Sequence, residues 1–132
     1  MPIKSDPATW SDERHRRGLA GELAAIEYLE RRGWRIAAHR FRLGRIEVDI
    51  VAQKSGVTAF IEVKTRRGSA FGSPLEAVTW AKKREITRVA EAWRQRWGRP
   101  SDVVRFDVIG VTLGPPEMRI DHVEDAFRPG WR

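Results

Sequence analysis

Glu47-Val48-Asp49 and, after an intervening turn, Glu62-Val63-Lys64 each alternate charged with apolar side chains. Successive side chains of a β-strand point to opposite faces. Glu47 and Asp49 therefore share one face of a first strand, with Ile46, Val48 and Ile50 on the other. Glu62 and Lys64 share one face of a second strand, with Ile61 and Val63 behind it. Pairing the two strands gathers three carboxylates and one ammonium on a single patch. Such a patch must be solvated or neutralised by a cation, and oxygen-rich clusters suit a hard divalent metal, Mg²⁺ or Mn²⁺. Phosphodiester hydrolysis needs a nucleophilic water and relief of charge on the phosphate, and a metal held by carboxylates can supply both. Asp49 and Glu62 are then the natural ligands, with the backbone carbonyl of Val63 completing the protein's share. Lys64, about 6–7 Å beyond Glu62 on the same face, is placed to orient the water or to stabilise charge on phosphorus. Glu47 stands at the same spacing from Asp49 on the other side and joins the candidate catalytic set. The plainer alternative is a solvent-facing hairpin carrying surface ion pairs.

The elements that must position these residues are legible in order. Leu19, Leu23, Ile26 and Leu29 recur at helical spacing, predicting a helix from about Glu13 to Arg32 with its apolar stripe on the core and Gly33 as its C-cap. Trp34–Phe41 and Ile46–Ala52 read as strands. Lys54-Ser55-Gly56 is turn chemistry, and Val57–Lys64 follows so closely that an antiparallel hairpin is expected. Beyond the basic, glycine-containing stretch Arg66–Gly72, Ser73-Pro74-Leu75-Glu76 has the form of a helix start, and Thr79 offers a second cap. The longer helix runs to Trp97 on a stripe of Ile86, Val89, Ala90, Trp93 and Trp97 and is stopped by Gly98 and Pro100. Val103–Val111 is a strongly apolar strand, and Met118–Val123 a weaker one at an edge. The order αβββαββ predicts an α/β fold, a mixed central sheet flanked by helices. Residues 1–12, with two prolines and little periodicity, read as a flexible lead, 13–127 as a single domain and 128–132 as a tail.

The 132 residues carry 25 Lys plus Arg against 18 Asp plus Glu, a net charge of +7, which points to a polyanionic partner, most commonly nucleic acid. The absence of cysteine removes disulfides, thiolate zinc sites and cysteine nucleophiles. No apolar run approaches the roughly 20 residues of a membrane span, and no signal-peptide core is present, so a cytoplasmic protein is expected. Arg66, Arg67, Lys82, Lys83, Arg84 and Arg88 follow the second acidic strand and are candidates for contacting successive DNA phosphates. The alternative is a solvated helix face. His15, His39 and His122 are scattered without ligand spacing and are assigned no chemistry.

Asp49, a gap, then Glu62-Val63-Lys64 resembles the PD-(D/E)XK nuclease motif, and more of the chain agrees. Gly18-Leu19-Ala20-Gly21-Glu22 precedes it, and Glu47-Val48-Asp49-Ile50-Val51-Ala52 resembles an E-[IL]-D-L-I-A element. Phe60 to Arg66 is followed by Phe71-Gly72-Ser73-Pro74, Glu76-Ala77-Val78, Lys82, Arg105-Phe106-Asp107-Val108 and Asp125-Ala126-Phe127. As an ordered set these are similar to the YraN family, small bacterial proteins of restriction-endonuclease-like fold related to archaeal Holliday-junction resolvases. The resemblance implies an endonuclease acting on DNA, branched or junction DNA included, with Mg²⁺ or Mn²⁺ as cofactor and a homodimer as the assembly. It ranks Lys82 above Lys83. It also brings Glu22, from the first helix, to the metal. Glu22 lies beside the apolar stripe facing the sheet, where a carboxylate needs a partner: a metal, Arg17 or Arg31, or solvent. The family has Gly directly before the first Glu of E-x-D; here Ile46 stands there, with Gly44-Arg45 just upstream, a departure that bears on how Glu47 is oriented. Two other functions compete: a nucleic-acid-binding module of the same fold that does not cleave, and a protein-interaction domain whose basic charge is incidental.

Overall fold

The computed structural model describes residues 13–67, 78–99 and 101–127. The proposed cap at Ser73, residues 68–72 of the basic stretch, the lead and the tail lie outside the described residues. The elements are α1 (Glu13–Arg31), β1 (Arg35–Leu43), β2 (Ile46–Lys54), β3 (Val57–Arg67), α2 (Trp80–Trp97), β4 (Val103–Leu113) and β5 (Arg119–Val123), in the expected order. They form one sheet in the order β1-β2-β3-β4-β5. Only β3 and β4 run parallel, because α2 lies between them as a crossover. The other pairs are antiparallel; β1–β2 and β2–β3 are joined at Gly44-Arg45 and Ser55-Gly56 by short turns in which Gly44 (φ 61°), Ser55 (50°) and Gly56 (77°) take left-handed conformations.

Each face of the sheet carries one helix and one apolar cluster. Ala25 and Leu29 of α1 pack with Ile50, Ala52, Ala59, Ile61, Ile109 and Val111. Ile86, Val89, Ala90 and Trp93 of α2 pack with Phe41, Val48, Val51, Phe60 and Phe106. The α2 start expected at Thr79 is present: its side chain accepts a hydrogen bond from the Lys82 amide at 3.1 Å. Trp97 stays 43% exposed but closes the stripe edge-on against Phe41.

α1 departs from its expected facing. Its buried line is Gly21, Glu22, Ala25 and Leu29, and Leu23 turns out to solvent at 52% exposure. Close approach to β3 explains the rotation. A Cβ placed on Gly21 would stand 2.9 Å from the Thr65 Cβ and closer still to its hydroxyl. Gly21→Ala should therefore destabilise the fold by about 1–3 kcal/mol of overpacking, outweighing the roughly 1 kcal/mol gained in helix propensity. Thr65→Ala in the same chain should recover part of the loss; urea midpoints for the two single variants and the double variant check this, and additive losses would contradict the contact.

β4 and β5 are tied to α1 by a buried polar chain. Asp107, 1% exposed, accepts from Arg105 Nε and Nη2 at 2.9 Å each, from His122 Nε2 at 2.8 Å and from the Asp125 amide at 3.0 Å. With Nε2–H donating to Asp107, a neutral His122 accepts the Tyr28 hydroxyl at Nδ1, 3.0 Å away.

Candidate active site

β1 and β2 do not alternate regularly along their whole length. Val51 packs on the α2 face and Ile50 and Ala52 on the α1 face, yet Val48 packs on the α2 face again. The interruption falls at Asp49, opposite Arg40, whose φ is 57°. A non-glycine residue in this region is uncommon and marks a local constraint. Arg40 and Asp49 are thus the pair at which the hairpin changes facing.

The same point ends the β2–β3 ladder. Backbone pairing stops at Ile50–Ile61. One step further, side chains take over: the Val63 amide donates to Asp49 Oδ2 at 2.8 Å, and the Asp49 amide to Glu62 Oε2 at 3.3 Å. Each carboxylate is held by the other's strand, so two acids are pinned side by side where the strands separate. Burial pushes the Asp49 carboxyl well above its ordinary value, and the negative charges of Glu62 and Glu22 push it further. Burial also raises Glu62, with the Lys82 ammonium offsetting part of the effect.

Lys82 brings a cation to Glu62. Its Nζ lies 3.4 Å from Glu62 Oε1 and donates to the Glu47 carbonyl at 2.8 Å. Glu62, Val63, Lys64, Val78, Thr79, Lys82 and Val108 line a cleft of about 320 Å³. Glu62 and Lys64 reach it together, as strand alternation requires, and Lys64 is exposed there.

Two expected members are paired with arginines of β1. Glu47 is opposite Arg42 in the hairpin, and its carboxylate pairs with that guanidinium at 3.2 Å. Only its backbone carbonyl faces Lys82. The Glu47 charge also acts on Arg40, together with those of Glu22 and Asp49. Glu22 is 5% exposed, and its partner is neither Arg17 nor Arg31. His39 Nε2 donates to Oε1 at 2.6 Å, Arg40 Nε to Oε1 at 2.8 Å and Arg40 Nη2 to Oε2 at 2.8 Å. Burial disfavours its ionisation, but these hydrogen bonds and charges outweigh it and hold the Glu22 carboxyl below the usual range. Both oxygens are held by His39 and Arg40, and the Glu22 charge adds negative potential at Asp49. His39 and Arg40 carried no signal in the sequence; only the seating of β1 beneath α1 brings them to Glu22.

Among the described residues no group of three or more His, Cys, Asp or Glu is arranged to hold a metal. A bound cation would be held by the Asp49 and Glu62 carboxylates, with the Val63 carbonyl as the expected further oxygen. That set fits Mg²⁺ or Mn²⁺, which take one or two carboxylates and complete their shell with water and substrate phosphate.

The basic residues divide. Arg66 and Arg67 end β3, Lys82 enters the acid pair, and Lys83 lies over the Phe127 ring at 5.5 Å. Arg84 and Arg88 are exposed one helical turn apart on α2. Among the described residues no helix is long and apolar enough to cross a membrane.

The raised acids set a pH dependence. A carboxyl whose folded pKa lies above its unfolded value stabilises the fold at low pH and loses that contribution as pH rises through the folded value. In chelator, the parent's melting temperature should fall relative to Asp49→Asn as pH rises through and above the ordinary carboxylate range. Glu22 and Asp107, held low, stay ionised there and act in the opposite sense only at more acid pH. A parent–variant gap independent of pH would contradict the strain assigned to the pair.

A sequence model described as uncharacterised protein family UPF0102 matches residues 21–111. Over 111 residues the chain is 45% identical to a UPF0102 protein of Symbiobacterium thermophilum, covering 83% of this chain and 94% of that one. It is 46% identical to one of Geobacter sulfurreducens (83% and 87% covered). A third, from Bacteroides thetaiotaomicron, is 42% identical over 118 residues (89% and 96% covered).

Proposed function

The chain belongs to the UPF0102 family, and from that starting point we propose that it is a metal-dependent endonuclease hydrolysing DNA phosphodiester bonds. The observation that carries this reading is the pinned pair Asp49–Glu62 at the point where β2 and β3 separate, of which Glu62 lines a cleft together with Lys64 and Lys82. A fold does not bury two adjacent acids for stability, since their mutual repulsion and desolvation oppose it; such groups mark functional sites. A bound Mg²⁺ or Mn²⁺ supplies charge relief at the phosphate and an acidic water. Asp49 and Glu62 hold the cation, and the Val63 carbonyl adds a neutral oxygen. Lys64, exposed in the same cleft, meets the scissile phosphate or its attacking water. Arg66, Arg67, Lys83, Arg84 and Arg88 take up flanking phosphates, with affinity that falls steeply with salt. A two-fold homodimer would present two such clefts to a branched or junction substrate.

A second reading is favoured by one observation: the described residues offer two acids rather than three, and Lys82 already partly neutralises them. It is a DNA-binding module of this fold that does not cleave. Labelled duplex, single-stranded, flap and four-way-junction DNA with Mn²⁺ or Mg²⁺ separates the two. Metal-dependent cutting is expected. Salt-sensitive binding with no cutting of any substrate would establish the second reading instead.

A further inference from the structure

Lys64 and Lys82 both line the cleft, but only one of them is seated on the acids. Lys64 is exposed. The Lys82 ammonium stands 3.4 Å from Glu62 Oε1 and is anchored from the other side by the Glu47 carbonyl at 2.8 Å. Its own backbone is fixed by the Thr79 cap, which sets where the side chain leaves α2. The Lys82 side chain is 32% exposed and Glu62 14%, so the contact is only partly screened by solvent.

Resting on the metal-site reading above, we infer that Lys82 is a tethered counter-cation that occupies the Asp49–Glu62 pair and competes with the divalent metal for it. An ammonium at contact distance from one ligand repels a dication held by the same carboxylates. It also withdraws one Glu62 oxygen from coordination. Loading the site then requires Lys82 to leave Glu62 or to share it, and the side chain sets the metal concentration at which the site fills. This role differs from contacting a DNA phosphate: it operates in the absence of DNA, and removing the lysine strengthens the ligand's binding.

The test is Mn²⁺ titration of the full chain without DNA, with free Mn²⁺ read by electron paramagnetic resonance. Lys82→Met should tighten Mn²⁺ binding on the order of tenfold, since one unit charge is removed within a few ångströms of the dication. Lys82→Arg, which keeps the charge, should not tighten it. Lys83→Met, which removes the same charge one residue along, should stay near the parent. Asp49→Asn should weaken binding in every background. Unchanged or weaker Mn²⁺ affinity in Lys82→Met, with Asp49→Asn still damaging, would overturn the Lys82 role and leave the metal site standing. Equal tightening by Lys83→Met would reduce the effect to general surface charge and also overturn it. Absence of Mn²⁺ binding by both the parent and Lys82→Met would remove the metal site and this inference together. A structurally damaged Lys82→Met protein would lose affinity, so a gain cannot come from misfolding.

Discussion

Asp49→Ala should reduce metal-dependent DNA cleavage at least about a thousandfold, the equivalent of about 4 kcal/mol of transition-state stabilisation. The substitution removes one of two carboxylates that can hold the cation, and Glu62 alone cannot replace it because Lys82 lies against its other oxygen. The fold should survive. The change leaves the Val63 amide without its acceptor, but it also relieves the repulsion and burial that push Asp49 upward. Asp49→Asn sharpens the comparison, because an amide oxygen can keep the Val63 hydrogen bond while the charge is lost. Both variants should bind the same DNA as the parent at low salt. Single-turnover cleavage beside circular dichroism and filter binding reads all three quantities. Cleavage by either variant within tenfold of the parent would remove Asp49 from the site.

Asp107→Ala should be the most damaging substitution for stability, by about 3–5 kcal/mol. Asp107 is 1% exposed and receives four hydrogen bonds from Arg105, His122 and the Asp125 amide. Removing it leaves the part-buried Arg105 with the weaker neighbours Glu124, Asp125 and the Trp34 ring and breaks the line through His122 to Tyr28. β5, an edge strand paired to β4 among the described residues, loses its side-chain tie from His122 to β4. Arg105→Ala should be milder, because Asp107 keeps His122 and an amide. Denaturant unfolding gives the order, and an Asp107→Ala loss below about 1 kcal/mol, the size of one ordinary hydrogen bond, would contradict the network.

Within the site, what was readable in the chain followed from short-range rules. Glu62-x-Lys64 on one strand face needs only alternation, and the hairpin before it needs only Ser55-Gly56. Thr79 as a cap and the apolar stripe from Ile86 to Trp93 needed only helical spacing. Those local patterns, with the β3–α2–β4 crossover they imply, determined the α/β fold, the mixed sheet and the meeting of Asp49 with Glu62.

Tertiary structure decided the rest, wherever local periodicity was overridden by packing. The facing changes at Asp49, beside the left-handed Arg40 and the end of the β2–β3 ladder, and Glu47 pairs across the hairpin with Arg42. The close approach at Gly21 rotated α1, exposed Leu23 and buried Glu22. Glu22 then met His39 and Arg40, residues adjacent in sequence to each other but far along the chain from their partner. Lys82 could be read as basic, but only the seating of α2 on the sheet placed its ammonium on Glu62. Alternation and helical spacing are properties of one segment and survive in any context. Which charge meets which depends on two segments being pressed together by a core, and no single stretch of the chain carries that information.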